Sequence, residues 1–241
     1  MMRRLLAAVA LAFAGLAAPA FAGDYADRTI IGFSDDGAWF AFNEYGVGDG
    51  SGFPYANVFV IDVDKDAWVA GTPVRATIED ESDDPSAALA RAMHEARPIL
   101  DRLKPYSAGN HVVDNPATEL SADPYAVRFR TNQWFNMMER PWSLKLTRIP
   151  MPDASGCENY DDVAGFRLEL TDPDGKTRTL HEDTSLPASR TCARDYAISD
   201  VVVMPAGKGP ASMAVVISLI RQGFEGPDRR FLAVTTRFED N

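Results

Sequence analysis

The sequence predicts a mainly β protein: antiparallel sheets with blade-like β-meanders, arranged as a sandwich or a partial propeller, plus one helical insertion. Three observations predict it. Apolar and polar residues alternate with period two in many short runs, Asp-Gly turn signals separate those runs, and a single stretch near residue 90 switches to helical spacing. The strand period follows from the pleat, which sends successive side chains to opposite faces.

The chain opens "MMRRLLAAVALAFAGLAAPAFAG". Arg3 and Arg4 precede an apolar run from Leu5 to about Ala18, Pro19 ends it, and Ala20-Phe21-Ala22 has the small-x-small form of a cleavage site. This reads as a secretory signal peptide at 1–22, cut after Ala22, with an apolar core too short to serve as a stable span. The mature chain, 23–241, is expected as one mainly β domain in the periplasm or outside the cell, with no membrane span.

"IIGFSDDGAWFAFNEYG" follows, two strands around the turn Ser34–Gly37; Phe40 and Phe42 share one face, Trp39 and Ala41 the other. "NVFVIDV" (Asn57–Val63) is apolar on both faces and predicts a strand covered on both sides. "DDPSAALARAMHEARPILDRLKPY" then has Asp84 as N-cap, Pro85 at the first helical position, and Leu89, Met93, Ala96, Leu100 and Leu103 on one stripe, predicting a helix at about 84–104. Pro98 is expected to kink it or to start a second helix. "AVRFRT" sets Val127 and Phe129 against Arg128 and Arg130, "SLKLT" sets Leu144 and Leu146 against Lys145, and "FRLELT" sets Phe166, Leu168 and Leu170 against Arg167, Glu169 and Thr171. The Pro-Asp-Gly turn at Asp172–Gly175 follows the last of these. "DVVVM" (Asp200–Met204) and "AVVISLI" (Ala214–Ile220) again read as central strands. The short Gly/Pro stretch Pro150–Gly156 is the best candidate boundary, and no repeat of fixed propeller period runs through the middle of the chain.

Charge and motifs narrow the function. The chain has 24 Lys and Arg against 35 Asp and Glu, a net charge of −11, and losing Arg3 and Arg4 with the leader makes it two units more negative. Such a chain repels nucleic acid and anionic membranes. The aspartates Asp62, Asp64 and Asp66 imitate half of an EF-hand loop, but the positions that need Gly and Glu hold Ala67 and Pro73, so no metal is expected there. The histidines His94, His111 and His181 lack zinc spacing, and nucleophile-elbow, phosphate-loop and dinucleotide fingerprints are missing, so neither catalytic residues nor cofactors are predicted. Cys157 and Cys192 are the only cysteines and are expected to pair in an oxidising compartment.

Aromatics concentrate between Trp39 and Trp68, and "QGFEGPDRRF" (Gln222–Phe231) is a rigid, charged loop. Together they supply the candidate ligand contacts Tyr45, Phe53, Tyr55, Glu225, Asp228 and Arg229. The loops Asp49–Tyr55 and Gln222–Asp228 would have to line one pocket for this to hold.

"EYGVGDGSGFPYANVFVIDVDKDAWVAGTPV", "HVVDNPATEL" and "GFEGPDRRFLAVT" resemble an uncharacterised family of bacterial predicted secreted proteins. The resemblance implies export and no particular activity. The expected role is non-enzymatic binding of an envelope component or small molecule; the alternative is a hydrolase of envelope polymers, which a cleft holding His111 or His181 beside a Ser or carboxylate would favour.

Overall fold

The computed structural model describes residues 23–116, 118–131, 140–205, 207 and 209–239. The expected leader at 1–22 lies outside the described residues. The described residues form three antiparallel sheets and one long helix. Sheet I holds β1 (Asp27–Phe33), β2 (Trp39–Val47) and β3 (Pro54–Asp62) in chain order, with the short strands β4 (Ala67–Trp68) and β5 (Val74–Thr77) both paired to β3. Helix α1 (Pro85–Leu103) follows. Sheet II is the meander β7 (Ala126–Phe129), β8 (Trp142–Pro150), β9 (Ala164–Thr171) and β10 (Thr177–Glu182). Sheet III runs β13 (Pro227–Phe238), β12 (Ala211–Gln222), β11 (Ala193–Met204), β6 (Asn110–Asp114).

The layers stack in the order α1, sheet I, sheet III, sheet II. The helix packs Ala88, Ala92, Ala96 and Leu100 on Ala41, Ala56, Val58 and Val60 of sheet I. The other face of sheet I, with Phe40, Phe42, Phe59 and Ile61, meets Val202, Ala214 and Val216 of sheet III. The far face of sheet III, with Val201, Val203, Met213, Val215 and Ile217, meets Leu144, Phe166, Leu168 and Leu170 of sheet II. Sheets I and III are each covered on both faces, which is why their strands read as continuous apolar runs. Sheet II is covered on one face and alternates. The meanders therefore form stacked layers, and among the described residues no sheet closes into a barrel.

The helix begins as its sequence predicts: the Asp84 carboxylate accepts from Ser86 N–H at 2.8 Å, with Pro85 first in the helix. Of the expected stripe, Ala96 and Leu100 are buried; in the first half the buried centre lies one residue earlier, on Ala88 and Ala92, with Leu89, Met93 and Leu103 flanking. Alanine faces alanine here, so the helix approaches the sheet closely and the longer side chains splay to either side. Pro98 lies inside one continuous helix, and no second helix starts there. The β1–β2 turn needs Gly37 twice over. Its φ is +67°, and a Cβ would sit 2.3 Å from Ser212 Oγ, whose hydroxyl donates to the Gly37 carbonyl at 2.9 Å. Cys157 and Cys192 are joined, with Cα atoms 5.5 Å apart. Among the described residues, no helix is long and apolar enough to cross a membrane.

Candidate functional site

Sheet I changes character along the face it turns to sheet III. One end carries Phe40, Phe42, Phe59 and Ile61, which are buried. Two residues further along the same strands, a polar row crosses the sheet: Arg28 pairs with Glu44, Glu44 with Asn57, and Asn57 with Arg75. Asn57 Nδ2 donates to Glu44 Oε1 at 2.9 Å. An apolar sheet face can close on its neighbour; a polar one cannot without a partner for every group. Where this row begins, the layers part into a cleft of about 460 Å³.

Sheet I contributes Glu44, Tyr55, Asn57, Phe59, Trp68, Arg75 and Thr77 to the lining. Sheet III adds Leu219, Arg221 and the stretch Arg230–Val234, while β10 and the short turn after it add His181, Ser189 and Arg190. Asp66 sits at one end. The disulfide holds this last wall, since Cys192 lies two residues beyond Arg190.

Strand β13 is the outer strand of sheet III, so alternate backbone N–H groups point off the sheet. Arg229 N–H goes to the Asp24 carbonyl at 2.9 Å. Phe231 N–H goes to Glu44 Oε2 at 2.8 Å, and Thr235 N–H goes to Asp66 Oδ1 at 2.7 Å. Strand geometry aims Ala233 the same way, midway between the two carboxylates. Among the described residues no loop carbonyl or side chain accepts from the Ala233 N–H, and Ala233 lines the cleft.

Three of the cleft arginines are tied from behind. Arg190 bonds Asp183 at 2.5 Å and lies over the rings of Phe166 and Tyr196. Arg230 bonds Asp24 and lies over Tyr55 at 4.7 Å, and Arg221 meets Asp228 at 3.4 Å. Arg75 is exposed and, among the described residues, has no acid partner. Burial pushes Glu44 above the usual carboxylate range, only partly offset by Phe231 N–H, Asn57 and Arg230. Burial also raises the Tyr55 hydroxyl, which donates to Asp24 at 2.7 Å. Burial alone would raise Asp183 too, but hydrogen bonds from His181 and Phe166 N–H, with the Arg190 charge, hold it below its ordinary value. His181 Nε2 lies 2.9 Å from Asp183 and 3.3 Å from Arg190, and its ring stacks on Phe166.

Of the six residues singled out in sequence, Tyr55 lines the cleft and Asp228 stands behind Arg221. Tyr45 points to the helix side of sheet I. The Phe53 carbonyl accepts from Gly48 N–H within the Gly-rich turn. Arg229 donates to the Ala26 carbonyl at 2.9 Å and lies over Tyr25. Glu225 N–H donates to Asp49 at 2.6 Å, so the two loops do touch. They border a shallow, acidic depression with Asp24 and Glu81, apart from the deeper cleft. The residues missed are Glu44, Asn57, Arg75, Arg190 and Arg221. One signal for the first two was available: in "FAFNEY" and "YANVFVI" the face that holds Phe42, Phe59 and Ile61 turns to Glu44 and Asn57.

Two carboxylate groups bear on metal binding. Asp62 pairs with Lys65, Asp64 with Arg237, and Asp66 with Thr235, so these three aspartates do not converge. Ligand atoms of His111, Asp114 and Asp200 lie within 4.8 Å of one another, but the Arg28 guanidinium bonds both carboxylates and holds the place of a cation.

Stacked antiparallel sheets under one covering helix, with a cleft where two layers part, define a layered, mainly β protein. The chain belongs to the family described as Predicted secreted protein (DUF2259), whose model matches residues 41–237. That span takes in the cleft from Glu44 to Val234. No curated protein matches the chain.

Proposed function

We propose that the protein is exported with cleavage after Ala22 and acts in the periplasm as a non-enzymatic binding domain, taking a small envelope-derived ligand in this cleft. The observation that carries the reading is the polar row of sheet I facing an open layer edge, beside Trp68, which is 47% exposed. A concave site of this size with a few convergent polar groups and aromatic walls suits a small ligand. A thermal-shift panel of soluble saccharides and small carboxylates tests it, using the protein and Trp68→Ala. A ligand at a hundred times its dissociation constant adds about 2.7 kcal/mol, a rise of roughly 5–10 °C for a chain of this size. The expected result is such a rise for at least one compound, lost in the variant. A panel that leaves the melting temperature unmoved overturns the reading.

A second reading has its own observation. His181 is held by Asp183 on the wall that also carries Ser189. A hydrolase would use such a pair. The same panel, followed by mass spectrometry, decides: cleaved products that disappear in His181→Gln replace binding with hydrolysis.

A further inference from the structure

The polar row of sheet I ends in an arginine on each side, and the two ends are treated differently. Arg28, on β1, meets Asp200 of sheet III, with Asp114 at 3.3 Å. Arg75, on β5, meets open cleft. Sheet III supplies a carboxylate for one end of the row and none for the other, so all five N–H donors of Arg75 await an acceptor among the described residues. A guanidinium fork is matched by a carboxylate, which takes two parallel hydrogen bonds.

We infer that the cleft takes an acidic sugar: a pyranose ring lying against Trp68, with its carboxylate on Arg75 and a ring hydroxyl on the Ala233 N–H. The inference rests on the binding reading and names its ligand class. Trp68 contacts Phe59 at 5.9 Å between ring centres and keeps nearly half its surface exposed, which leaves indole for the C–H face of a sugar. Asn57, Thr77 and Ser189 mix donors with acceptors around it, as a polyhydroxyl ligand requires. A cleft of about 460 Å³ is of mono- to disaccharide size. The ligand carries one charge rather than several. The other three guanidiniums already have acids behind them, and Glu44 and Asp66 in the lining would repel a polyanion.

Calorimetry with disaccharides that carry a single galacturonate or glucuronate residue tests this, with their methyl esters and a hexose 6-phosphate as controls. At least one uronate is expected to bind, its ester at least tenfold more weakly, and the sugar phosphate more weakly as well. Arg75→Gln, an exposed change whose fold is checked by melting temperature, should weaken the acid at least tenfold and leave the ester unchanged. Trp68→Ala should weaken both. Acid and ester binding alike, no effect of Arg75→Gln, or tighter binding of the phosphate each overturn the sugar-acid assignment. If neither uronate binds while the thermal-shift panel finds another ligand lost in Trp68→Ala, this inference fails alone; if the panel is also silent, the binding reading fails with it.

Discussion

Sheet III is covered on both faces, and the two covers differ. Towards sheet II the contact is sealed through its centre, where Leu144, Leu168, Leu170, Met213, Val215 and Ile217 interdigitate and Phe166 lies between Tyr196 and His181; a depression opens only at the edge lined by Trp142, Arg178 and Phe238. Towards sheet I the contact is apolar at one end only, through Phe40, Phe42 and Phe59, and then parts along the row from Glu44 to Arg75. Both contacts use the same pleated strands of β11 and β12, so neither backbone nor strand propensity separates them. What separates them is whether the opposing sheet keeps its apolar alternation to the end of its strands. A cleft in a layered fold arises where that alternation stops and the polar groups exposed there have no partner across the gap.

The largest test compares like with like. Phe166→Ala, in the sealed contact at 0% exposure, should cost about 4–5 kcal/mol by urea denaturation, the upper end of the range for such truncations, because the packed layers collapse little around the void. Phe59→Ala borders the cleft, where water can enter the space left, and should cost about 3 kcal/mol, the low end of the range. Equal costs, or a greater cost at Phe59, would break the contrast between a sealed and an open contact.

A somewhat smaller effect comes from the disulfide. It joins cysteines separated by 35 positions in the chain, for which the chain-entropy model gives roughly 4 kcal/mol as an upper guide. A replacement of both cysteines by serine is expected to lose about 2–4 kcal/mol by the same assay. Because Cys192 adjoins the Arg190 wall, the variant should also weaken any ligand of the cleft. Unchanged affinity would show that sheet packing alone holds that wall.

The smallest effect belongs to the closed end of the polar row. His111 is raised above its ordinary value, first by its hydrogen bond to Asp200 at 2.8 Å and against some desolvation. A raised histidine stabilises the fold fully below its unfolded value of about 6.5, and that share fades as pH rises through the higher folded value. His111 is 43% exposed at the side chain, so solvent screens the pair. Melting temperature is therefore expected to fall by a degree or so from just above pH 6.5 upward, and Asp200→Asn should flatten that slope. Asp200 itself is pushed up by burial but held low by His111 and Arg28, so its own share is lost only as pH falls below about 4. A slope that survives in Asp200→Asn would assign the pH dependence to another group.

Much of the architecture was legible in the residues. Runs apolar on both faces marked β3, β11 and β12 as inner strands, alternating runs marked β7, β8 and β9, and Asp84-Pro85 marked the helix start. These are local signals, set by pleat geometry and by capping chemistry within a few residues. The site was much less legible. The conspicuous Gly-rich loops border the shallow depression and reach the cleft only through Tyr55. The cleft instead joins residues as distant as Glu44, Arg75, Arg190 and Ala233, and no short-range pattern ties them together.

Which segments pleat, which coil and which faces are apolar depend on neighbours along the chain, and so could be read from residue order. It also carried the change from phenylalanine to Glu44 and Asn57 along one face of β2 and β3. Which sheet that polar row would face was set by how the layers pack. Layer stacking set Asp200 opposite Arg28, left Arg75 without an acid, and turned the edge of β13 into the cleft wall. The physical reason is that a buried polar group is neutral or costly according to what stands across from it, and what stands across is fixed by how the layers pack.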